Sequence, residues 1–230
     1  MKDFEQNGIV VVNKPKGMTS HDVVSSIRRI FKMRQVGHAG TLDPLATGVL
    51  VVLLGRSTKL FNKFQLFDKA YRATLLLGQT TDTADIEGKV IAQKPYDTIA
   101  EGQIREVFQK FMGETEQVPP MVSALKVGGQ RLYKLARKGI KVDRQKRKVR
   151  IDRLELTRFC SPHAQFYLEC SKGTYVRQLA EDVGEILGCG ACITQIERTK
   201  VGPFRIEDSF GLENVNESSI RQWSDQLLSS

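Results

Sequence analysis

A run of six apolar residues, from Val49 to Leu54, constrains the fold of this 230-residue chain more than any other feature. A strand with one face in water alternates apolar and polar side chains, whereas an unbroken apolar run of strand length is buried on both faces. The chain must therefore build a sheet that is covered on two sides. The run follows a loop, Gly37 to Gly48, that holds three glycines, a proline and a single carboxylate, Asp43.

The remaining pattern mixes strands and helices. Apolar runs and alternation predict further strands at 9–12, 71–78, around 149–151, at 166–170 and at 193–201. Helical spacing predicts a helix capped by Thr19 or Ser20, one from Ile104 to Phe111, a short one around 132–138, and an amphipathic piece around Trp223. A further helix, capped by Thr174, has the inner face Val176, Leu179, Val183, Ile186 and Leu187. Because strands and helices do not alternate regularly, the class is α+β, and we expect one domain over 1–230.

The positive charge of the chain is concentrated in one segment. The formal net charge is +9. Between Lys126 and Arg153, twelve Lys or Arg stand against Asp143 and Asp152, so this segment carries +10 and the rest of the chain −1. A basic run is often only a solvated surface, but a polyanion such as nucleic acid is the favoured partner.

Several classes of protein find no support. No stretch has the eighteen or so apolar residues of a membrane span, and no secretory signal is visible, so we expect a cytoplasmic protein. Cys189 and Cys192 have CxxC spacing without a second ligand pair, which favours reduced, packed cysteines over a metal site. The phosphate-loop, dinucleotide and zinc-protease motifs have no match, so no nucleotide cofactor or metal is predicted.

The loop from Gly37 to Gly48 closely resembles the catalytic motif of the TruB family of pseudouridine synthases. Taken alone, it reads as a turn at least as well as an active site, since an aspartate before a proline suits a turn. Five other stretches resemble the family in the expected order: Asn13 to Ser20, Ala70 to Ala73, Gln79 to Asp85, Val118 to Lys126 and Lys172 to Arg177. The resemblance runs from about residue 8 to about residue 205.

The resemblance implies a fold and a reaction. The fold is a central mixed, mostly antiparallel sheet flanked by helices, with a basic RNA-gripping insertion at about 121–153. The reaction is the conversion of uridine to pseudouridine at position 55 in the T loop of tRNA, with no metal or cofactor, by a monomer. The family's C-terminal RNA-binding domain is expected to be absent or vestigial here.

The resemblance also assigns catalytic residues. Asp43 is the nucleophile, whether toward the ribose C1′ or the uracil ring; Arg177 is its cationic partner, and Asp85 holds the far side of that arginine. Tyr71 offers a ring for the flipped base and a phenol for proton transfer. Each has a plainer reading: a surface arginine for Arg177, a turn for Asp85 and core packing for Tyr71.

A second group is predicted to bind RNA. His38 resembles the histidine that reads the flipped T-loop nucleotides, Lys14 is placed to support Tyr71, and Tyr175 is placed to brace the pocket. A structural histidine, a turn and core packing are the respective alternatives. The basic segment would neutralise phosphates through Lys126, Arg131, Lys134, Arg137, Lys138, Lys141 and Arg144.

Two rival functions remain open. The guide-RNA-dependent pseudouridylases share the aspartate loop, although Leu45 to Gly48 and the long basic insertion favour the stand-alone tRNA enzyme. A protein that binds and folds the T arm of tRNA, with isomerisation secondary, is the alternative from another class.

Overall fold

The structure is a computed structural model that describes residues 7–123, 125–132, 135, 139–140 and 142–222, with the backbone alone at 126, 127 and 131. The strands are β1 (Gly8–Lys14), β2 (Val36–His38), β3 (Thr47–Leu54), β4 (Lys69–Leu77), β5 (Gln79–Thr81), β6 (Val90–Gln93), β7 (Gly113–Gln117), β8 (Lys126–Val127), β9 (Gln130–Arg131), β10 (Arg147–Cys160), β11 (His163–Cys170), β12 (Ala191–Val201), β13 (Phe204–Arg205) and β14 (Phe210–Gly211). The helices are α1 (Ser20–Ile30), α2 (Phe61–Gln65), α3 (Glu101–Gln109) and α4 (Val176–Ile186).

The chain packs as two compact units. The terminal unit holds residues 1–71 and 196–230, and the central unit holds residues 72–195. The prediction of a single catalytic domain stays a prediction. Most of the predicted short helix at 132–138 and the piece around Trp223 lie outside the described residues. Within the described part of the chain, every helix is too short or too polar to cross a membrane.

The terminal unit is built on a mixed sheet in the order β14, β1, β3, β12, with β2 also paired to β3 and β13 to β12. Strands β1 and β3 are antiparallel, with Val11 opposite Val51. Strand β12 runs parallel to β3 and places Arg198 opposite Gly48. This last pairing brings a residue from late in the chain beside the loop that carries Asp43.

Strand β3 is buried on both faces, as its apolar run predicts. Leu50, Val52 and Leu54 pack in one core with α1, whereas Val49, Val51 and Leu53 pack in a second core with Phe64 of α2. Successive side chains of a strand point to opposite faces, so six apolar residues in a row supply both cores. Burying an aliphatic side chain of this size stabilises the fold by about 1.5–3 kcal/mol.

Helix α1 begins where the sequence predicts. Thr19 is its N-cap: its Oγ1 accepts a hydrogen bond from the Asp22 amide at 3.1 Å, and the Asp22 Oδ2 accepts one from the Thr19 amide at 2.8 Å. This reciprocal capping box satisfies two of the amides that the first turn leaves open. The predicted α1 is confirmed.

The central unit has its own sheet order of β4, β11, β10, β7, and β10 is antiparallel to both of its neighbours. Helix α3 covers this sheet, and Phe108 meets Phe166 of β11 edge to face, with ring centres 5.7 Å apart. The predicted helix around Ile104 and the two neighbouring strands are confirmed.

Helix α4 differs in detail from its prediction. The predicted cap Thr174 is wrong: the N-cap is Tyr175, with no side-chain capping bond, and Thr174 Oγ1 instead donates to the Ser171 carbonyl at 3.0 Å. Ile186 is 47% exposed rather than inward. The small residue Gly184 takes a buried position, and two further residues turn the helix by roughly 200°, which faces Ile186 to solvent.

Three of the four cysteines are buried, and Cys160 is exposed. Burial is the main cause that raises the pKa of the Cys192 thiol to about 11. Since the thiolate is the nucleophile and the metal ligand, Cys192 is a poor reactive group at neutral pH. The expectation that most cysteines are packed is confirmed.

Candidate active site

The loop that carries Asp43 is fixed on both sides of that residue. The Leu42 amide donates to Ser20 Oγ at 2.8 Å, and Ser20 Oγ donates to the Leu42 carbonyl at 3.1 Å. On the other side, the Gly17 amide donates to the Pro44 carbonyl at 2.8 Å. Asp43 itself is only partly buried. A carboxylate between two anchored neighbours, still open to solvent, suits a group that must meet a substrate.

Lys14 supports this loop from inside the fold. Its side chain is fully buried, and its Nζ donates to the carbonyls of Pro15 at 2.9 Å, Met18 at 2.6 Å and Pro44 at 3.4 Å. A buried ammonium needs such acceptors for its three protons. This burial argues against the predicted contact between Lys14 and RNA, because the ammonium lies in the interior and donates to backbone carbonyls there.

Arg198 is a residue of this site that the sequence analysis missed. Its side chain lies in the interior, and its guanidinium donates to the carbonyls of Val49 at 2.8 Å, Gly40 at 3.0 Å and Thr41 at 3.4 Å. These carbonyls belong to residues before and after Asp43. The alternation of β12 could have predicted that Arg198 is buried. Arg198 is two residues from Ile196, which packs against the core, and alternate residues of a strand share a face.

The same guanidinium reaches two predicted catalytic residues. Burial lowers the pKa of Arg198, and this is opposed by its interactions with Tyr71, which it also hydrogen-bonds, and with Asp43. An arginine keeps its proton in such surroundings. Tyr71 is 7% exposed. The terminal unit therefore gathers Asp43, Tyr71 and a cation around one loop.

Gly48 allows this close packing. Its φ is +98°, and a Cβ added there would lie 2.3 Å from the Arg198 carbonyl oxygen. Gly17 is a natural control, since its φ is +87° and an added Cβ would meet nothing within 4 Å. The positive φ favours glycine at both positions, but only at Gly48 would a side chain also clash with a neighbouring strand.

We expect Gly48→Ala to lower the free energy of unfolding by about 3 kcal/mol, since overpacking adds to the left-handed backbone strain. Gly17→Ala should lower it by about 1 kcal/mol, from backbone strain alone. Urea unfolding followed by circular dichroism measures both. Equal losses for the two variants would show that the close approach of Arg198 does not constrain position 48.

A second buried group of polar residues lies in the central unit. Arg177 and Asp85 are 5% and 6% exposed, and Arg177 Nη1 lies 3.6 Å from Asp85 Oδ2. Arg177 also donates to the carbonyls of Thr83 at 2.7 Å and Val122 at 2.8 Å. Asp85 Oδ1 accepts from Thr83 Oγ1 at 2.7 Å and from the Glu87 amide at 3.1 Å.

The structure thus brings Arg177 and Asp85 together, as the resemblance implies, and it rules out a surface arginine. Asp85 also accepts from the Glu87 amide, as a turn residue does, so the turn reading stays open. Because this ion pair is buried, removing either partner would leave an uncompensated charge in the interior and destabilise the fold. The predicted pairing of Arg177 with Asp43 stays a prediction, as do the catalytic roles of all three residues.

Tyr175 is placed by a residue that the sequence analysis did not identify. The Gln117 side chain accepts from the Tyr175 amide at 2.8 Å and donates to the Tyr175 carbonyl at 3.1 Å. These two hydrogen bonds fix the backbone of Tyr175, two residues before Arg177. Tyr175 itself is partly buried, which fits a brace for a pocket as well as core packing.

Few of the predicted RNA-binding residues can be described. Lys134, Arg137, Lys138 and Lys141, and the side chains of Lys126 and Arg131, lie outside the described residues. Arg144 is partly buried and donates to the Pro119 carbonyl at 2.8 Å. His38 ends strand β2, opposite Val52 of β3, and is partly buried. RNA binding by these residues stays a prediction.

The basic segment ends inside the sheet. Strand β10 begins at Arg147 and buries Val149 and Ile151, so the last part of the predicted insertion is a regular strand. Two basic side chains of this strand form exposed ion pairs, Arg150 with Asp152 and Arg153 with Glu155, both at 2.7 Å. Part of the excess charge is therefore already neutralised within the fold.

Comparison with protein families identifies the chain. Residues 28–176 match the model of the TruB family pseudouridylate synthase N-terminal domain. The chain belongs to the TruB family. Residues 177–229 match the tRNA pseudouridylate synthase B C-terminal domain, and the absence of a further RNA-binding domain stays a prediction.

Members of the TruB family from several bacteria are similar over nearly the whole chain. A protein named tRNA pseudouridine synthase B from Clostridium tetani is 48% identical over 94% of this chain and 75% of its own length. The protein of the same name from Opitutus terrae is 42% identical over 97% of this chain and 93% of its own length.

Solved structures agree on the fold. A chain of a Cbf5-Nop10-Gar1 complex superposes with a TM-score of 0.71 at 30% identity, over 90% of this chain and 53% of its own length. The chain thus spans about half of that protein. The predicted α+β pseudouridine synthase fold, with its mixed sheet, is confirmed.

Proposed function

We infer that this chain is a tRNA pseudouridine synthase, an isomerase that converts uridine to pseudouridine at position 55 in the T loop of tRNA. The observation that carries this inference is the similarity, over more than nine-tenths of the chain, to proteins named tRNA pseudouridine synthase B. The partly exposed Asp43 on its anchored loop supports it, because the family motif surrounds that residue.

The reaction rearranges one nucleotide and exchanges only protons with its surroundings. The bond from ribose C1′ to N1 of uracil breaks, the base turns, and a bond from C1′ to C5 forms. The hydrogen on C5 leaves as a proton, and N1 gains one. Nothing is oxidised or reduced, so the protein has to supply a nucleophile, proton transfer and a site that holds the loose base in place.

Asp43 supplies the nucleophile, by attack at C1′ or by addition to the uracil ring. Tyr71 supplies the phenol that exchanges a proton as C5 loses its hydrogen. Extruding the uridine from its stack costs a few kcal/mol, of which an aromatic contact recovers about 1–3 kcal/mol. Contacts to the T arm must provide the remainder, which is the role proposed for the basic segment.

The T arm of tRNA is the proposed docking element. The positive charge between Lys126 and Arg153 suits phosphate contacts, and the chain is proposed to act as a monomer. Because tRNA is its substrate, the cytoplasm is the proposed location.

The decisive experiment uses the purified chain, a T-arm stem-loop RNA tritiated at C5 of uridine, and no guide RNA. Since isomerisation removes the C5 hydrogen, tritium release into water measures the reaction. A matched stem-loop with cytidine at the target position, labelled in its other uridines, is the control. We expect release from the first RNA and none from the second.

Two other outcomes would contradict the proposal. Release only after a guide RNA is added would favour the guide-dependent rival. Tight binding of the stem-loop with no release would favour the RNA-folding alternative.

A further inference from the structure

Arg198 anchors the Asp43 loop, Gly37 to Gly48, and the strand that follows it. Its guanidinium donates to the carbonyls of Gly40 and Thr41, before Asp43, and of Val49, after it. A planar guanidinium offers five N–H donors in a rigid fork, so one side chain can fix several carbonyls in a set geometry. One side chain thereby ties together backbone on both sides of Asp43.

The remaining interactions of this guanidinium are with catalytic groups. It hydrogen-bonds the Tyr71 side chain and interacts electrostatically with Asp43. A guanidinium can only donate, so the phenol oxygen is the acceptor and the phenol proton stays available for transfer.

We propose that Arg198 is a positioning residue for the isomerisation: its buried guanidinium fixes the Asp43 loop and the Tyr71 hydroxyl in one arrangement, so that nucleophile and proton-transfer group meet the same uridine. This rests on the proposed function. Arg198 acts through the loop and Tyr71, because its interior position keeps it from the RNA. A misplacement of about 1 Å at a reacting group can slow a reaction about 100-fold.

The test compares Arg198→Met and Arg198→Lys with Val11→Ala. Methionine keeps much of the volume but no donor, and lysine keeps the charge without the fork. Val11→Ala removes volume from a core of the same unit but removes no hydrogen bond to the loop. Two quantities are measured: the single-turnover rate constant on the T-arm stem-loop at saturating enzyme, and amide hydrogen exchange across residues 40–48. Neither depends on RNA affinity, and the rate constant does not depend on how much of the preparation is folded.

We expect Arg198→Met to lower the single-turnover rate constant about 100-fold, with the Kd for the stem-loop within about threefold of wild type. Exchange at 40–48 should become at least about tenfold faster. Arg198→Lys should recover part of the rate, since it restores the charge. Val11→Ala should leave both the rate constant and loop exchange close to wild type.

The outcomes separate this proposal from the proposed function. Loop exchange in Arg198→Met that equals wild type overturns the positioning role, whatever the enzyme's activity. A wild-type rate constant in Arg198→Met, or an equal loss in Val11→Ala, also overturns it. A wild-type chain that releases no tritium contradicts the proposed function instead, while the exchange data still decide whether Arg198 orders the loop.

Discussion

Replacing Asp43 with asparagine is expected to abolish pseudouridine formation while leaving the binding of a T-arm stem-loop intact. The carboxamide has nearly the shape of the carboxylate but lacks its charge and nucleophilicity. Losing a nucleophile lowers turnover by about 10⁴-fold or more in well-studied enzymes. The loop should keep its place, because its anchors at Leu42 and Pro44 use backbone groups and Ser20.

Tritium release and a filter-binding titration on the same RNA measure the two effects. Asp208→Asn is the matched control, since Asp208 is an exposed aspartate of the same unit outside the loop. It should keep wild-type activity. Turnover by Asp43→Asn within about tenfold of wild type would remove the nucleophile assignment, and equal loss in Asp208→Asn would point to a general effect of charge.

Replacing Arg177 with methionine is expected to lower the free energy of unfolding by about 3–5 kcal/mol, because it leaves the buried Asp85 carboxylate without its cation. The carbonyls of Thr83 and Val122 lose their donor as well. Adding Asp85→Asn to this variant should recover part of the loss, since the amide is neutral and its oxygen can still accept from Thr83 Oγ1 and the Glu87 amide.

Urea unfolding of the single and double variants measures this coupling. Arg105→Met is the control: Arg105 pairs with Glu101 at 2.6 Å in the same unit, but both side chains are about half exposed. Solvent screens such a pair, so its loss should change stability by no more than about 0.5 kcal/mol. If Arg177→Met lowered the free energy of unfolding no more than Arg105→Met does, the buried pair would not stabilise the fold more than an exposed pair.

Local signals in the sequence account for much of the fold. Thr19 and Asp22 mark the start of α1 because capping bonds join residues three apart, and strand β3 is recognisable because its six apolar residues need no information from elsewhere. The two ends of α4 were less predictable. Thr174 is a good cap by type, yet it bonds Ser171 instead, and Ile186 faces solvent because Gly184 takes the buried position.

The family was likewise indicated by short motifs, the Asp43 loop and the stretch that ends at Arg177. Motifs carry residue types and spacing, and these are local properties. The partners of each polar side chain are not a local property, because the fold sets them. Lys14 was grouped with the RNA-binding residues as a support for Tyr71, and only the structure shows its ammonium buried among backbone carbonyls.

Sequence by itself therefore determined the α+β class, the doubly buried strand and the family motif around Asp43, because each is written in neighbouring positions. Only the tertiary structure decided that Arg198 lies against Gly40, Thr41 and Val49, or that Gln117 holds Tyr175. Strand pairing and burial join residues far apart in the chain, and a buried polar group binds whatever acceptor the fold brings to it.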